Sequence, residues 1–168
     1  MDQEILPGLL RVDHVGLTVP DLDAAVNFYR EAFGCTERFR LGPFDSRDFP
    51  AQSDGRDWSD AYFCVPDARF RFVMLQLGPN MMLELFQYER PTDRCQQIPR
   101  NCDLGGHHIA LKVENIDHAV SHLRRFPGVK VMTGPLDVVD GPCAGMRIIY
   151  FQDPWGNQME LVEFNRQP

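Results

Sequence analysis

The 168-residue chain carries 17 basic against 24 acidic residues, a formal net charge of −7, and no basic stripe with interleaved aromatics, which argues against a nucleic-acid or anionic-membrane surface. Five cysteines (Cys35, Cys64, Cys95, Cys102 and Cys143) form an odd set without a Cys-x-x-Cys pair, so reduced thiols in a cytoplasmic protein are expected rather than a disulfide framework. The start, Met1-Asp2-Gln3-Glu4, lacks the basic and apolar run of a signal peptide, and no apolar stretch approaches the ~20 residues of a membrane span.

Residues 12–19 alternate, with Val15, Leu17 and Val19 on one face and His14, Gly16 and Thr18 on the other, which predicts a strand with one packed and one polar face. Leu22, Ala25, Val26, Tyr29 and Phe33 then recur at helical spacing, with Asp21 able to cap the start and Gly34 the end. Strand-like runs follow at 35–41, 61–66, 69–77 and 81–88, and the polar segment 42–60 predicts a surface loop and a candidate lid. Gly78-Pro79-Asn80 marks a hairpin ahead of the run that holds Glu84. Residues 90–106, with Pro91, Pro99 and Gly105-Gly106, read as an extended linker. Beyond it, Ile109, Leu111 and Val113 form a second packed face with His108 and Ala110 opposite, and Asn115 can cap a helix carrying Ile116, Ala119, Val120 and Leu123. Strand runs at 129–132, 147–152 and 158–164 complete the chain, the last two joined by the turn Asp153-Pro154-Trp155-Gly156-Asn157.

The two halves are copies. A fixed offset of 94 carries His14 onto His108, Val19 onto Val113, Leu22 onto Ile116, Asp23 onto Asp117 and Val26 onto Val120. Each copy ends in an apolar strand with one carboxylate inside it, Glu84 in the first and Glu160 in the second, here at an offset of 76, so module one is 18 residues longer. The pattern predicts an α+β fold of two tandem strand-helix-three-strand (βαβββ) modules: module one at 11–89, the linker at 90–106 and module two at 107–165, fused as one domain over 1–168.

A single histidine in a strand is usually structural, and a single glutamate on an amphipathic strand usually faces solvent. Two of each at equivalent points of a repeat point instead to one shared metal site of His14, Glu84, His108 and Glu160. Strand alternation sends His107 to the opposite face from His108, so His108 is the ligand candidate and His107 a structural residue. Gly16 and Ala110, two positions past each histidine, keep that face open. Tyr29, Phe33, Phe63, Phe72 and Phe86 read as core aromatics, although Met82 and Phe86 share the parity of Glu84 and can line a cavity beside it. The arginines, Arg38, Arg40, Arg47, Arg56, Arg69, Arg71, Arg90, Arg94 and Arg100, are dispersed and most read as solvated surface charges, with one or two able to meet an anionic group.

Asp-His-Val-Gly-Leu at 13–17, Gly-Gly-His-His-Ile-Ala-Leu at 105–111 and Asp-Pro-Trp-Gly-Asn-Gln-Met-Glu-Leu-Val at 153–162 resemble the vicinal oxygen chelate superfamily, which includes glyoxalase I, methylmalonyl-CoA epimerase, extradiol dioxygenases, fosfomycin-resistance enzymes and bleomycin-binding proteins. The resemblance covers residues 11–164 and implies curved sheets around a metal site whose ligand positions fall on His14, Glu84, His108 and Glu160. It also implies a homodimer acting on a small molecule. Members that only bind antibiotics commonly lose these ligands, so their joint presence favours a metalloenzyme.

Two imidazoles and two carboxylates suit one divalent ion, Zn²⁺, Ni²⁺, Co²⁺, Mn²⁺ or Fe²⁺, with positions left for substrate oxygens. Such a site can stabilise an enediolate while Glu84 or Glu160 moves the proton next to a carbonyl. If one glutamate removes the proton and the other returns it from the opposite face, the carbon is inverted. The resemblance to the isomerases, which carry a fourth protein ligand in the first module, makes Glu84 point towards proton transfer and away from oxygen activation. The expectation is a metal-dependent epimerase acting next to a ketone, on a small polyhydroxy ketone of the 2-epi-5-epi-valiolone type. The alternatives are a glyoxalase I-type lyase, a methylmalonyl-CoA epimerase, an extradiol dioxygenase and a metal-free antibiotic-binding protein.

Overall fold

In the computed structural model, which describes residues 7–164, the alternation around His14 becomes strand β1 (His14–Thr18). The signal-peptide reading of the first four residues and the end of module two at 165 lie outside the described residues. Asp21 caps helix α1 (Leu22–Phe33) by accepting from the Ala24 N–H, and Gly34 closes it in the left-handed conformation at φ 68°. Three strands follow, β2 (Thr36–Asp45), β3 (Arg69–Leu77) and β4 (Met81–Arg90), giving a sheet in the order β1-β4-β3-β2 with β1 parallel to β4.

Two expectations for this half are corrected. Strand β2 runs through Gly42 and Pro43, which had marked the start of a loop, because register shifts at Glu37/Phe39 and Leu41/Phe44 absorb them. A Cβ on Gly42 would stand 2.9 Å from the Arg71 Cα and from the Phe70 carbonyl oxygen, so only glycine allows the strand to close up there. The run at 61–66, read as a strand, belongs instead to helix α2 (Trp58–Phe63) and the residues after it. Its apolar alternation is overridden by Asp57, which accepts from the Ser59 and Asp60 N–H groups and so nucleates a helical turn. The expected loop 42–60 is therefore structured at both ends, with a 3-10 turn at Ser46–Asp48.

The second half repeats the plan with β5 (Ile109–Lys112), α3 (Ile116–Leu123), β6 (Lys130–Val131), β7 (Leu136–Asp137), β8 (Met146–Gln152) and β9 (Gln158–Phe164). Strand β7, which the sequence pattern did not signal, is a two-residue strand on β8. The sheet order is β5-β9-β8-β6, with β5 parallel to β9. Two sheets and three short helices among the described residues make the α+β fold expected, and the chain divides into two compact units, Met1–Asp93 and Arg94–Pro168. No described helix is long and apolar enough to cross a membrane.

Each sheet packs one face on its helix. Leu17, Val73, Leu75, Leu83 and Leu85 are buried on the α1 side of the first sheet, and Ile109, Ile149, Phe151, Met159 and Leu161 are buried in the second unit. Each such side chain contributes about 1.5–3 kcal/mol, and a one-residue slip would turn all of them to the opposite face. That burial fixes which residues of β4 and β9 face away from the helix, and Glu84 and Glu160 are among them.

The two units also share a tether that the offsets could have exposed. The Gln87 side-chain oxygen accepts from the Leu22 N–H at 2.9 Å, and the Glu163 carboxylate accepts from the Ile116 N–H at 2.7 Å. Gln87 and Glu163 are each three residues past the strand glutamate, so the strand that carries the carboxylate is tied to the first turn of its helix in both copies.

Candidate metal centre

In unit one, parallel pairing of β1 and β4 sets Gly16 opposite Glu84 and His14 opposite Met82, all on the face away from α1. The His14 Nε2 stands 3.3 Å from the Glu84 carboxylate, whose side chain is 16% exposed. The His14 Nδ1 is 3.0 Å from the Asp13 carboxylate. With Nδ1–H donating to Asp13, the His14 Nε2 is left turned towards the Glu84 carboxylate, the orientation a metal-binding imidazole would need. Burial pushes the Glu84 carboxyl above its ordinary value, opposed by His14. Burial, and then the charge of Glu84, raises the Tyr88 phenol.

Unit two reproduces the arrangement. Ala110 lies opposite Glu160 in the parallel β5–β9 pair, as Gly16 does opposite Glu84, and His108 sits two residues before Ala110. The His108 Nε2 is 3.1 Å from the Glu160 carboxylate, whose side chain is 11% exposed. Two ligands each about 2.0–2.2 Å from one ion at right to tetrahedral angles lie roughly 3.0–3.4 Å apart, so both pairs have the spacing of neighbouring ligands. His107 places Nδ1 3.1 Å from the Gly105 carbonyl oxygen, an exposed contact within the linker.

The structure thus brings the four sequence candidates together as two pairs, His14 with Glu84 and His108 with Glu160. Among the described residues no three His, Cys, Asp or Glu side chains gather at one point. Each pair by itself offers one imidazole nitrogen and one carboxylate oxygen, donor types that suit a divalent ion.

The face around each pair differs between the copies. Beside Glu84, Phe70, Phe72, Phe86 and Tyr88 form a run of contacting rings with centroids 5.3–5.9 Å apart, joined by Phe44, Trp58 and Phe63. Tyr29 is core, as expected, whereas Phe72 and Phe86 are only half-buried and share the face of Glu84. Beside Glu160 the cross-strand neighbour is Tyr150, whose equivalent in unit one is Met74. Sequence reasoning passed over Tyr150, although it lies ten residues before Glu160 just as Met74 lies ten before Glu84.

Several of the arginines are engaged with carboxylates. Arg40 and Arg71 bond Asp23, Arg47 and Arg90 bond Asp67, and Arg69 and Arg90 bond Asp45. Arg147 holds Asp117 and Asp137.

The profile of the Glyoxalase/Bleomycin resistance protein/Dioxygenase superfamily matches residues 11–161. A 2-epi-5-epi-valiolone epimerase of Actinomyces sp is 44% identical over 158 residues, 94% of this chain and 81% of the relative. The human mitochondrial methylmalonyl-CoA epimerase is 28% identical over 115 residues, 68% of this chain and 53% of its own. A glyoxalase family protein from Bacillus cereus superposes with a TM-score of 0.68 at 22% identity, covering 97% of both chains, a likeness of fold.

Proposed function

This chain belongs to the Glyoxalase/Bleomycin resistance protein/Dioxygenase superfamily, and on that footing we propose that it is an epimerase that inverts a carbon next to a ketone. The observation that carries the reading is the pair of matched His–Glu arrangements, 3.3 Å and 3.1 Å apart at equivalent positions of a duplicated module. The 44% identity to an epimerase over 94% of the chain supports the reaction class.

In this reading His14, Glu84, His108 and Glu160 together hold one divalent ion. An ion bound there would supply positive charge beside the carbonyl oxygen. The chain's own groups move the proton. One glutamate carboxylate takes the hydrogen from the carbon next to the carbonyl, the C–H electron pair becomes the C=C bond of the enediolate, and the carbonyl oxygen takes the negative charge. The other glutamate, protonated at the start, delivers its proton to the opposite face of that carbon as the carbonyl re-forms, and exchange with solvent resets the two carboxyl groups after turnover. Glu84, raised by burial, holds a proton more readily than an ordinary carboxylate does.

A small neutral polyhydroxy ketone of the 2-epi-5-epi-valiolone type is the substrate class this favours. The named arginines are committed to carboxylates of the same chain, so they offer no cationic cradle to a phosphorylated or carboxylate-bearing carrier. The test is solvent exchange: with 2-epi-5-epi-valiolone in D₂O, the metal-loaded protein incorporates deuterium next to the ketone, followed by proton NMR. Glu84→Gln and Glu160→Gln each lower epimerisation by about 100-fold or more, as loss of a general acid or base does. Undiminished turnover in either variant removes that glutamate from the mechanism.

A further inference from the structure

The two His–Glu pairs are alike in spacing but not in what surrounds them, and one of the differences lies at Tyr150. Antiparallel pairing of β8 and β9 sets Tyr150 directly opposite Glu160, so the two side chains share a face. Its ring stands edge-on to the His108 imidazole, with centroids 5.2 Å apart and planes at 78°. Tyr150 therefore packs on one member of the second pair and lies opposite the other. At the equivalent place in unit one Met74 lies opposite Glu84 and has no O–H to donate.

We infer that Tyr150 is a positioning residue for the second pair: its ring fixes the plane of the His108 imidazole and its hydroxyl holds the Glu160 carboxylate, so that one Glu160 oxygen stays turned to the His108 Nε2. The inference rests on the metal reading proposed above. A carboxylate on a strand can rotate about its terminal torsion at little cost, and a donor on the neighbouring strand removes that freedom. In unit one Asp13 holds the imidazole from its Nδ1 side instead, so each pair has one orienting partner, attached to the histidine in one copy and, in the other, packed on the histidine and set opposite the glutamate.

The test uses Co²⁺ alone as the probe, read by its visible absorption and by titration of the metal-free full-length protein. Tyr150→Phe keeps the ring and loses the hydroxyl. It should unfold at the wild-type temperature, bind Co²⁺ about 10–100-fold more weakly and show a shifted absorption band. Tyr150→Met, which installs the side chain of the other copy, should weaken binding at least as much. Met74→Leu, a volume-conserving change at the equivalent position, should leave Co²⁺ affinity unchanged. Wild-type affinity and an unshifted band in both Tyr150 variants overturn the inference while leaving the metal reading intact. Failure of the wild-type protein to bind Co²⁺ overturns both, and that result is seen before any variant is measured.

Discussion

Replacing Asp153 by alanine tests how the last turn delivers Glu160 to its place. Asp153 is 1% exposed, and its carboxylate accepts from the Trp155 N–H at 2.9 Å, the Asn157 N–H at 2.8 Å and the Asn157 side-chain amide at 2.7 Å. The turn returns its own bond, the Gly156 N–H donating to the Asp153 carbonyl at 3.1 Å. Gly156 sits at φ 94°, and a Cβ there would lie 3.2 Å from the Ile98 side chain, so the turn has little room to relax into another shape. Alanine strands two backbone donors and one amide donor. Each buried donor left unmade costs about 1–3 kcal/mol, and both backbone donors belong to half-buried residues, which places the total at about 2–4 kcal/mol. For a chain of this length that corresponds to a fall in Tm of roughly 5–15 °C, measured by circular dichroism with a urea titration alongside. Asp153→Asn keeps one acceptor oxygen and should lose about half as much. A loss below about 0.5 kcal/mol for Asp153→Ala would refute the argument that this carboxylate builds the turn.

Asp57 carries a prediction in pH. Its carboxylate, which accepts from the Asp67, Ser59 and Asp60 N–H groups and the Ser59 hydroxyl, is held down at about 2. A depressed folded-state value contributes stability that is present above the unfolded value near 4 and is lost as pH falls towards 2. The stability gap between wild type and Asp57→Asn should therefore narrow between about pH 4 and pH 2 in urea titrations; a gap independent of pH would contradict this. The thiols give a second check. Burial pushes the Cys35 thiol up to about 11, whereas Cys64, Cys95, Cys102 and Cys143 are exposed, so a disulfide reagent at pH 8 should label four thiols quickly and Cys35 only on unfolding. Five fast thiols would mean the α1–β2 corner is open.

The parts of the fold legible in the sequence are those that depend on local pattern and on the repeat. Helices α1 and α3 start after their capping Asp21 and Asn115, and the strand runs around Glu84 and Glu160 fall where alternation places them, because capping and period-2 burial are written in neighbouring residues. The 94 and 76 offsets identified the histidines and glutamates that the strands then bring within 3.3 Å and 3.1 Å of one another. What escaped the reading depends on partners distant in sequence. Helix α2 looked like a strand because its cap, Asp57, is bound from below by the Asp67 N–H, ten residues on. Strand β2 continues past Gly42-Pro43 because β3 accepts it through a bulge. Tyr150 drew no notice because its role comes from the antiparallel register with β9, which no single-strand pattern records.

The most direct test of the central claim is the metal stoichiometry of the purified protein after reconstitution with Co²⁺ or Zn²⁺ and removal of the excess, read by elemental analysis. One shared centre built from His14, Glu84, His108 and Glu160 predicts one ion per chain, with loss of that ion in His14→Ala and in His108→Ala alike. Two ions per chain, with each histidine variant losing one, would show that the pairs act separately, and no bound ion would contradict the account altogether.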